Sequence, residues 1–365
     1  MTKVTIKLIL LVLLIAAVGI VTIYSSTANS PVQSERQLFW RQSAWLLLGL
    51  ICLLAVSRIS YRKLWDFAYL FYGAGMIFLI MVAFLGPVRL GAQRWLRILW
   101  FNFQPSELMK LIVVVFLARY FSNPGGGLGR QVQGWGFIKA VLIPFAFVGL
   151  PVLLILEQPD LGTAAFIFFV FIAMLFVAQV RLKYLLSVLS GFILASPLLW
   201  HFLKDYQKDR LLVFINPNAD PLGAGYTIIQ SKTAIATGGL FGRGWLGGSQ
   251  SQLHFLPESH TDFIFATFAE EWGLAGSLIL LVLYYLLIRS ALRVAQRAPD
   301  HFGCLLASGI ALILSIQVFI NIAMTIGLAP VVGLPLPLLS YGGSCLLVTL
   351  LSIGLLVNIE KRIAL

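Results

Sequence analysis

Apolar stretches of about 20 residues recur from one end of this chain to the other, the length an α-helix needs to cross the hydrocarbon core of a bilayer. Lipid offers no partner to backbone N–H and C=O groups, so a crossing chain must be helical or a closed β-barrel. A barrel would be written in short alternating segments, and this pattern is absent. The composition agrees. Hydrophobic residues make up 59% and charged residues 11%, against roughly a quarter charged in a soluble domain, and the mean hydropathy is +0.93. A water-soluble globular fold and a disordered chain are both excluded. The expected class is an all-α polytopic membrane protein, with residues 1–365 forming a single integral membrane domain.

Ten spans are expected: Leu8–Ile23, Ala44–Val56, Phe67–Leu85, Glu107–Phe121, Phe137–Leu156, Gly162–Ala178, Tyr184–Leu203, Phe263–Ile288, Phe302–Ile326 and Ser344–Ile359. Lys3 and Lys7 before the first run resemble a signal peptide. The run is long for one and more spans follow, so it reads as an uncleaved helix. An even number of spans puts both termini on one side. Fifteen of the 26 Lys and Arg residues fall on that side, ten on the other, and Lys110 lies within a span. Short cytoplasmic loops carry the excess of Lys and Arg, so the termini are expected in the cytoplasm. The net charge of +12 is thereby read as orientation, not as a nucleic-acid surface.

The ten exceptions are Arg36, Arg41, Arg89, Arg94, Arg97, Lys204, Lys208, Arg210, Lys232 and Arg243. Cations outside against the orientation rule fit either ordinary headgroup contact or a lipid-linked phosphate ligand. Five of them sit in the longest connection, residues 204–262, between the seventh and eighth spans. A connection of that length without a fold of its own is usually functional or disordered. Its stretch Tyr226–Ala236 reads as an amphipathic helix lying in the interface.

Ionisable residues inside a membrane are costly and mark function by default. Glu107 and Lys110 open the fourth span, with Ser106 placed as N-cap; three residues apart, they share a helix face and can pair. The pair reads as a structural ion pair or as part of a polar cavity with Lys110 facing phosphate. Glu157-Gln158-Pro159-Asp160-Leu161-Gly162 is a similar start to the sixth span, mostly helix-start grammar. Leu256-Pro257-Glu258-Ser259-His260-Thr261-Asp262-Phe263 leads into the eighth span, with Glu270 and Glu271 two turns inside it. Asp262 or Thr261 would cap that helix; alternatively, Asp262 is a general base at the mouth of the bundle, its pKa raised by partial burial. His254, Glu258, His260 and Asp262 match no standard metal spacing. Cys52, Cys304 and Cys345 sit singly in apolar stretches and read as buried small residues. No phosphate-binding loop, dinucleotide fingerprint or nucleophile elbow is present. An enzyme of this kind needs a substrate already in the membrane and carrying its own leaving group, as a lipid pyrophosphate does.

Gly91-Ala92-Gln93-Arg94-Trp95, Gln104-Pro105-Ser106-Glu107, Asp220-Pro221-Leu222-Gly223-Ala224-Gly225-Tyr226, Gln230-Ser231, Leu256–Phe265, Gly333-Leu334-Pro335-Leu336-Pro337 and Leu339-Ser340-Tyr341-Gly342-Gly343-Ser344 together resemble the SEDS family (shape, elongation, division and sporulation) in order along the whole chain. Gly244-Trp245-Leu246 with Ser249-Gln250-Ser251-Gln252-Leu253 resembles its elongation branch more than its division branch. The resemblance implies ten spans and a peptidoglycan glycosyltransferase that polymerises lipid II on the outer face of the cytoplasmic (inner) membrane. The implied partners are a class B penicillin-binding protein, which supplies transpeptidation and activation, other membrane proteins of the elongation complex, and the nascent glycan. The family's essential aspartate falls on Asp262, and its polar cavity on Arg94, Glu107 and Lys110. Arg210, Lys232, Ser231 and His260 complete the expected substrate-binding set. No cofactor is required by these residues; a divalent cation, Mg²⁺ or Mn²⁺, could help neutralise the pyrophosphate. The prolines of Val331–Leu338 and Gly342-Gly343-Ser344 are expected to wall the substrate chamber. Two competing readings are a lipid II flippase, which would want coupling residues near the midplane, and a scaffold for the penicillin-binding protein.

Overall fold

The computed structural model describes residues 3–87, 93–98, 101–122, 132, 134–223 and 225–363. Val88, Arg89, Gly91, Ala92, Arg130 and Ala224 lie outside the described residues. Ten helices correspond to the ten expected spans: α1 (Lys3–Thr27), α2 (Leu38–Val56), α3 (Arg62–Leu85), α4 (Pro105–Phe121), α5 (Ile143–Glu157), α6 (Leu161–Val177), α7 (Leu182–Phe202), and, after two helices of the long connection, α8 (Asp205–Ile215) and α9 (Tyr226–Gly238), then α10 (Ile264–Arg297), α11 (His301–Thr325) and α12 (Gly343–Ile363). A wider π turn, Ile138–Leu142, leads into α5. Among the described residues seven of these segments are long and apolar enough to cross a membrane on their own; α6 and α7 hold shorter apolar stretches, and α4 is 17 residues long. A small hairpin, β1 (Leu96–Ile98) with β2 (Phe101–Phe103), pairs antiparallel before α4.

Several boundaries differ from expectation, α1 and α3 beginning five residues early at Lys3 and Arg62, and three others have a structural consequence. α2 begins at Leu38, six residues before Ala44, because Gln42 turns inward to bond Ser340 O at 3.1 Å and needs no water. α4 begins at Pro105 with Gln104 at the cap, so Ser106 is inside the first turn and is not the N-cap. Proline suits that first position because its missing N–H would be unpaired there anyway. α10 runs on to Arg297, well past Ile288.

Centrally placed, α4 packs against α3, α5, α6, α11 and α12 and is buried on nearly every face, as expected of a helix apolar all round. Its first two turns therefore lie inside protein, and that is where Glu107 and Lys110 sit. At the end of the bundle remote from Asp262, the Asn358 amide accepts from Tyr61 N at 3.1 Å and donates to the carbonyl of Val56, and Tyr61 Oη donates to Asp300 at 2.6 Å. These bonds hold α12 and α11 to the α2–α3 turn.

The long connection is not a foldless loop. It holds α8 and α9, and α9, which covers the stretch expected as an amphipathic helix, is docked on α10 and α11. A Cβ on Gly238 would run into Ala269 O. α10 is itself broken: Gly273 has φ +65° and ψ −165°. The freed groups are taken up by residues 239–244. Leu274 N donates to Gly239 O (2.9 Å) and Ala275 N to Leu240 O (3.0 Å), while Arg243 N and Gly244 N donate to Glu270 O and Glu271 O, both at 3.0 Å. Non-helical backbone at membrane depth is tolerated when protein supplies the missing bonds.

Candidate active site

The turn Leu256–Asp262 is wound around Glu258, which has φ +50°. Thr261 N and Phe263 N both donate to Glu258 O, at 3.1 and 3.2 Å, and Thr261 Oγ1 donates to Glu258 Oε2 at 2.8 Å. α10 starts behind it with Phe263 in the cap position and no side-chain cap. The capping reading of Asp262 is thereby removed: its carboxylate is not committed to the helix start. That carboxylate is partly buried and lies beside Gly333, whose φ is +70° and whose Cβ, if present, would sit 3.4 Å from Asp262 Oδ2. The positive φ, rather than crowding, is what favours glycine at this position. Burial, reinforced by the Glu258 carboxylate, pushes the Asp262 carboxyl up to about 7; Arg210 pulls it back, Asp160 adds to the rise and Arg94 opposes it.

Three of those charges, Arg94, Asp160 and Arg210, line a small cleft together with Pro159, Leu161, Gly162, Gln207, Leu211 and Pro330–Val332. Arg94 is held there by bonds from its guanidinium to Gln158 O (3.3 Å) and Pro159 O, with Asp160 Oδ1 at 3.9 Å. Asp160 is a true N-cap, accepting from Thr163 N at 3.2 Å. Arg210, on α8, donates to Val331 O at 3.3 Å. The opposite wall, residues 326–342, is irregular and is laced to the Asp262 turn. Ser340 Oγ donates to Thr261 O at 2.6 Å, and Tyr341 N donates to His260 O at 2.9 Å. The arrangement is a carboxylate pushed up to about 7 by burial, within the electrostatic field of two guanidiniums, Arg210 and Arg94. It suits proton removal next to a developing anion.

In comparison with known proteins, residues 5–364 match the cell cycle protein family that groups FtsW, RodA and SpoVE. The chain belongs to this family. It is 42% identical over 362 residues to the peptidoglycan glycosyltransferase MrdB of Escherichia coli K12, covering 98% of this chain and 93% of that protein. It is 37% identical over 366 residues to the probable peptidoglycan glycosyltransferase FtsW of Geobacter sulfurreducens, covering 97% and 95%. Among solved structures, it is similar to a chain of a peptidoglycan synthase complex studied for its coordination of polymerization and crosslinking (TM-score 0.81, 34% identity, 98% of this chain and 97% of that one). It is also similar to RodA of Thermus thermophilus (TM-score 0.70, 31% identity, 97% and 96%).

Not every expected site residue of this FtsW/RodA/SpoVE member reaches the cleft. Glu107 and Lys110 are paired at 2.7 Å with side chains 4% and 1% exposed, and Lys110 Nζ also lies over the Phe166 ring at 4.9 Å. The pair is brought to the protein interior, so Lys110 does not offer its ammonium to phosphate in this conformation. Ser231 is fully buried and donates to Thr325 O at 2.7 Å, tying α9 to the end of α11. Lys232 is exposed, its stem against Gly327. His260 sits beside Tyr341, ring centroids 6.0 Å apart, and burial lowers its pKa against the opposing pull of Glu258 and Glu35. Among the described residues no group of three or more His, Cys, Asp or Glu is assembled to hold a metal. Sequence reasoning passed over Gln317 and Asn321, two buried amides four residues apart in α11. Their signal was a polar pair at helical spacing within an apolar span.

Proposed function

We propose that this chain polymerises lipid II into glycan strands, with Asp262 as general base. The peptidoglycan glycosyltransferase activity is that of the family members it resembles over nearly its whole length. The observation that carries the residue assignment is the Asp262 carboxylate lying against Gly333, pushed up to about 7 by burial and pulled back by Arg210 and Arg94, which line the cleft next to that loop. In the reaction, Asp262 takes the proton from the 4-hydroxyl of the acceptor lipid II sugar as that oxygen bonds to the anomeric carbon of the growing chain. The bond to undecaprenyl pyrophosphate breaks, the electron pair leaves with the pyrophosphate, and the anomeric centre inverts. One base and a stabilised leaving group suffice, so a second carboxylic acid is not needed as it is in glycoside hydrolysis. Arg210 and Arg94 stand where they can neutralise the leaving pyrophosphate, and the exposed Lys232 can reach toward its lipid-linked end. Ser231, by its burial, belongs to the frame.

The distribution of Lys and Arg supports cytoplasmic termini, with the Asp262 end of the bundle at the outer face of the cytoplasmic membrane and the whole chain acting as one membrane-embedded unit. A class B penicillin-binding protein is the crosslinking partner that fits, since the similar chain of known structure comes from a complex joining polymerization to crosslinking. The test is lipid II polymerisation by the purified protein with its penicillin-binding protein, wild type against Asp262→Asn, with fluorescent lipid II in sealed vesicles as a parallel assay. Wild type is expected to make glycan and the folded mutant none. Normal polymer from the mutant would remove Asp262 from the chemistry; translocation without polymer would replace the enzyme with a flippase.

A further inference from the structure

Resting on the reading of Asp262 as base, we propose that Asn321 and Gln317 are positioning residues that hold the Asp262 turn and its facing loop in register, and that the buried Glu107–Lys110 pair acts through them without touching substrate. Asn321 is 0% exposed. Its single amide nitrogen donates twice, to Asp262 O at 2.9 Å and to Leu334 O at 2.7 Å. One side chain therefore bridges the two segments that meet at the carboxylate. One turn earlier on the same face of α11, Gln317 donates to Pro335 O at 2.9 Å. Its oxygen faces Lys110 Nζ at 3.4 Å, and Lys110 is in turn bonded to Glu107. The ladder runs from the ion pair on α4, through two amides on α11, to the backbone of consecutive residues 334 and 335 and of Asp262.

The facing loop explains the need for such a ladder. Residues 330–335 have no regular structure; the carbonyls of Val331, Leu334 and Pro335 accept from the side chains of Arg210, Asn321 and Gln317, and a buried carbonyl left unpaired is costly. Gly333 of the same loop is the residue lying against Asp262 Oδ2. A shift of Leu334 therefore changes how deeply the carboxylate is enclosed. Asn321 also bears a price of its own, because its Oδ1 is buried with no partner; an apolar residue would fill the space without that penalty. The two donor bonds are what the amide adds.

The experiment measures initial rates of polymerisation with fluorescent lipid II by the full complex with its penicillin-binding protein, between pH 5.5 and 9, for wild type, Asn321→Leu, Asn321→Ser, Gln317→Met and Asp262→Asn. The acid limb of kcat reads Asp262 in the field of Glu258 and His260 on its own turn, Arg210 on α8, Asp160 at the start of α6 and Arg94 before β1. Asn321→Leu is expected to lower kcat by about 30-fold or more with KM within twofold, and to move the acid limb downward as the carboxylate opens to water. Asn321→Ser, which keeps one donor, should recover part of both. If Asn321→Leu does not give a monodisperse complex, Gln317→Met carries the same test with a smaller fall in kcat. A wild-type rate, or a lost rate with an unmoved limb, overturns the proposal by leaving Asn321 a packing residue only. Polymer made by Asp262→Asn refutes the base itself, whatever the amide variants do; an inactive Asp262→Asn beside a wild-type-like Asn321→Leu refutes only the ladder.

Discussion

The carboxyl of Asp262, titrating near 7, makes the pH dependence of the reaction a direct probe of the site. A base works when ionised, so the rate should rise with pH through that value. At pH 6 about a tenth of the molecules hold Asp262 as carboxylate, and at pH 8 about nine tenths, giving a change of roughly tenfold at saturating lipid II. The surrounding charges let the limb be moved in both directions. Glu258 raises the Asp262 pKa, so Glu258→Gln should move the limb down; Arg210 lowers it, so Arg210→Gln should move the limb up. Glutamine at 258 keeps an oxygen for the Thr261 hydroxyl and so preserves the turn while removing the charge. A downward displacement of only half a unit lifts the pH 6 rate to about a quarter of the plateau, which an initial-rate assay with fluorescent lipid II resolves. Arg210→Gln should also lower the plateau, since a guanidinium is withdrawn from the leaving group. If the two variants move the limb in the same direction, or if the wild-type limb lies near the ordinary carboxylate range, the group that titrates is not Asp262 in this environment and the argument fails.

Two further substitutions test the frame. In Gly162→Ala the new methyl meets Val332 O; overpacking of this kind costs about 1–3 kcal/mol and displaces the wall of the cleft. A lower melting temperature in detergent and a fall in kcat are therefore expected, whereas an unchanged Tm would show that the loop moves freely. In Ser231→Ala the bond to Thr325 O is lost, for about 1 kcal/mol, with KM for lipid II unchanged. A raised KM would return Ser231 to the substrate.

The spans were legible because most are apolar runs of about bilayer length, and α9 was partly so because turn residues bracket Tyr226–Ala236; α8 was not read from the sequence. The cleft was only partly readable. Asp262 precedes a helix as a capping aspartate does, and Asp160, in a similar context, is a cap. What separates them is the backbone at Glu258 and Phe263, which no local pattern displays. Lys110 was expected at phosphate because an intramembrane cation invites that reading. Its actual face is decided by Phe166 on α6 and Gln317 on α11, residues far away in sequence. Gln42 was left out of its span for a related reason: beside Arg41 it reads as solvated, yet it bonds Ser340 O and accepts from Gly342 N. In lipid-embedded bundles a polar residue is explained by the irregular backbone it serves, and that backbone lies elsewhere in the chain.

Two irregular segments at membrane depth are treated differently here, and the difference follows the chemistry. The break in α10 at Gly273 is stitched mainly by main chain, residues 239–244 lending their own N–H and C=O groups, with one side-chain bond from Ser277 Oγ to Gly273 O at 2.8 Å. The loop before α12 is instead strapped by side chains, from Gln42, Gln317, Asn321 and Ser340. Backbone stitching consumes groups on both partners in a fixed ladder. Side-chain straps hold chosen carbonyls and leave the rest of the loop free to face a cleft. The straps also bear a load. The folded pKa of Asp262 lies above its ordinary 3.8, at about 7, so folding stability falls as pH rises from near 4 through 7, by up to about 4 kcal/mol and by less for a carboxylate that keeps some contact with water. Ionised Asp262 favours any movement that opens its pocket. A turn tied at Thr261 O by Ser340, at His260 O by Tyr341 and at Asp262 O by Asn321 resists that movement at the pH where the carboxylate must be ionised to work.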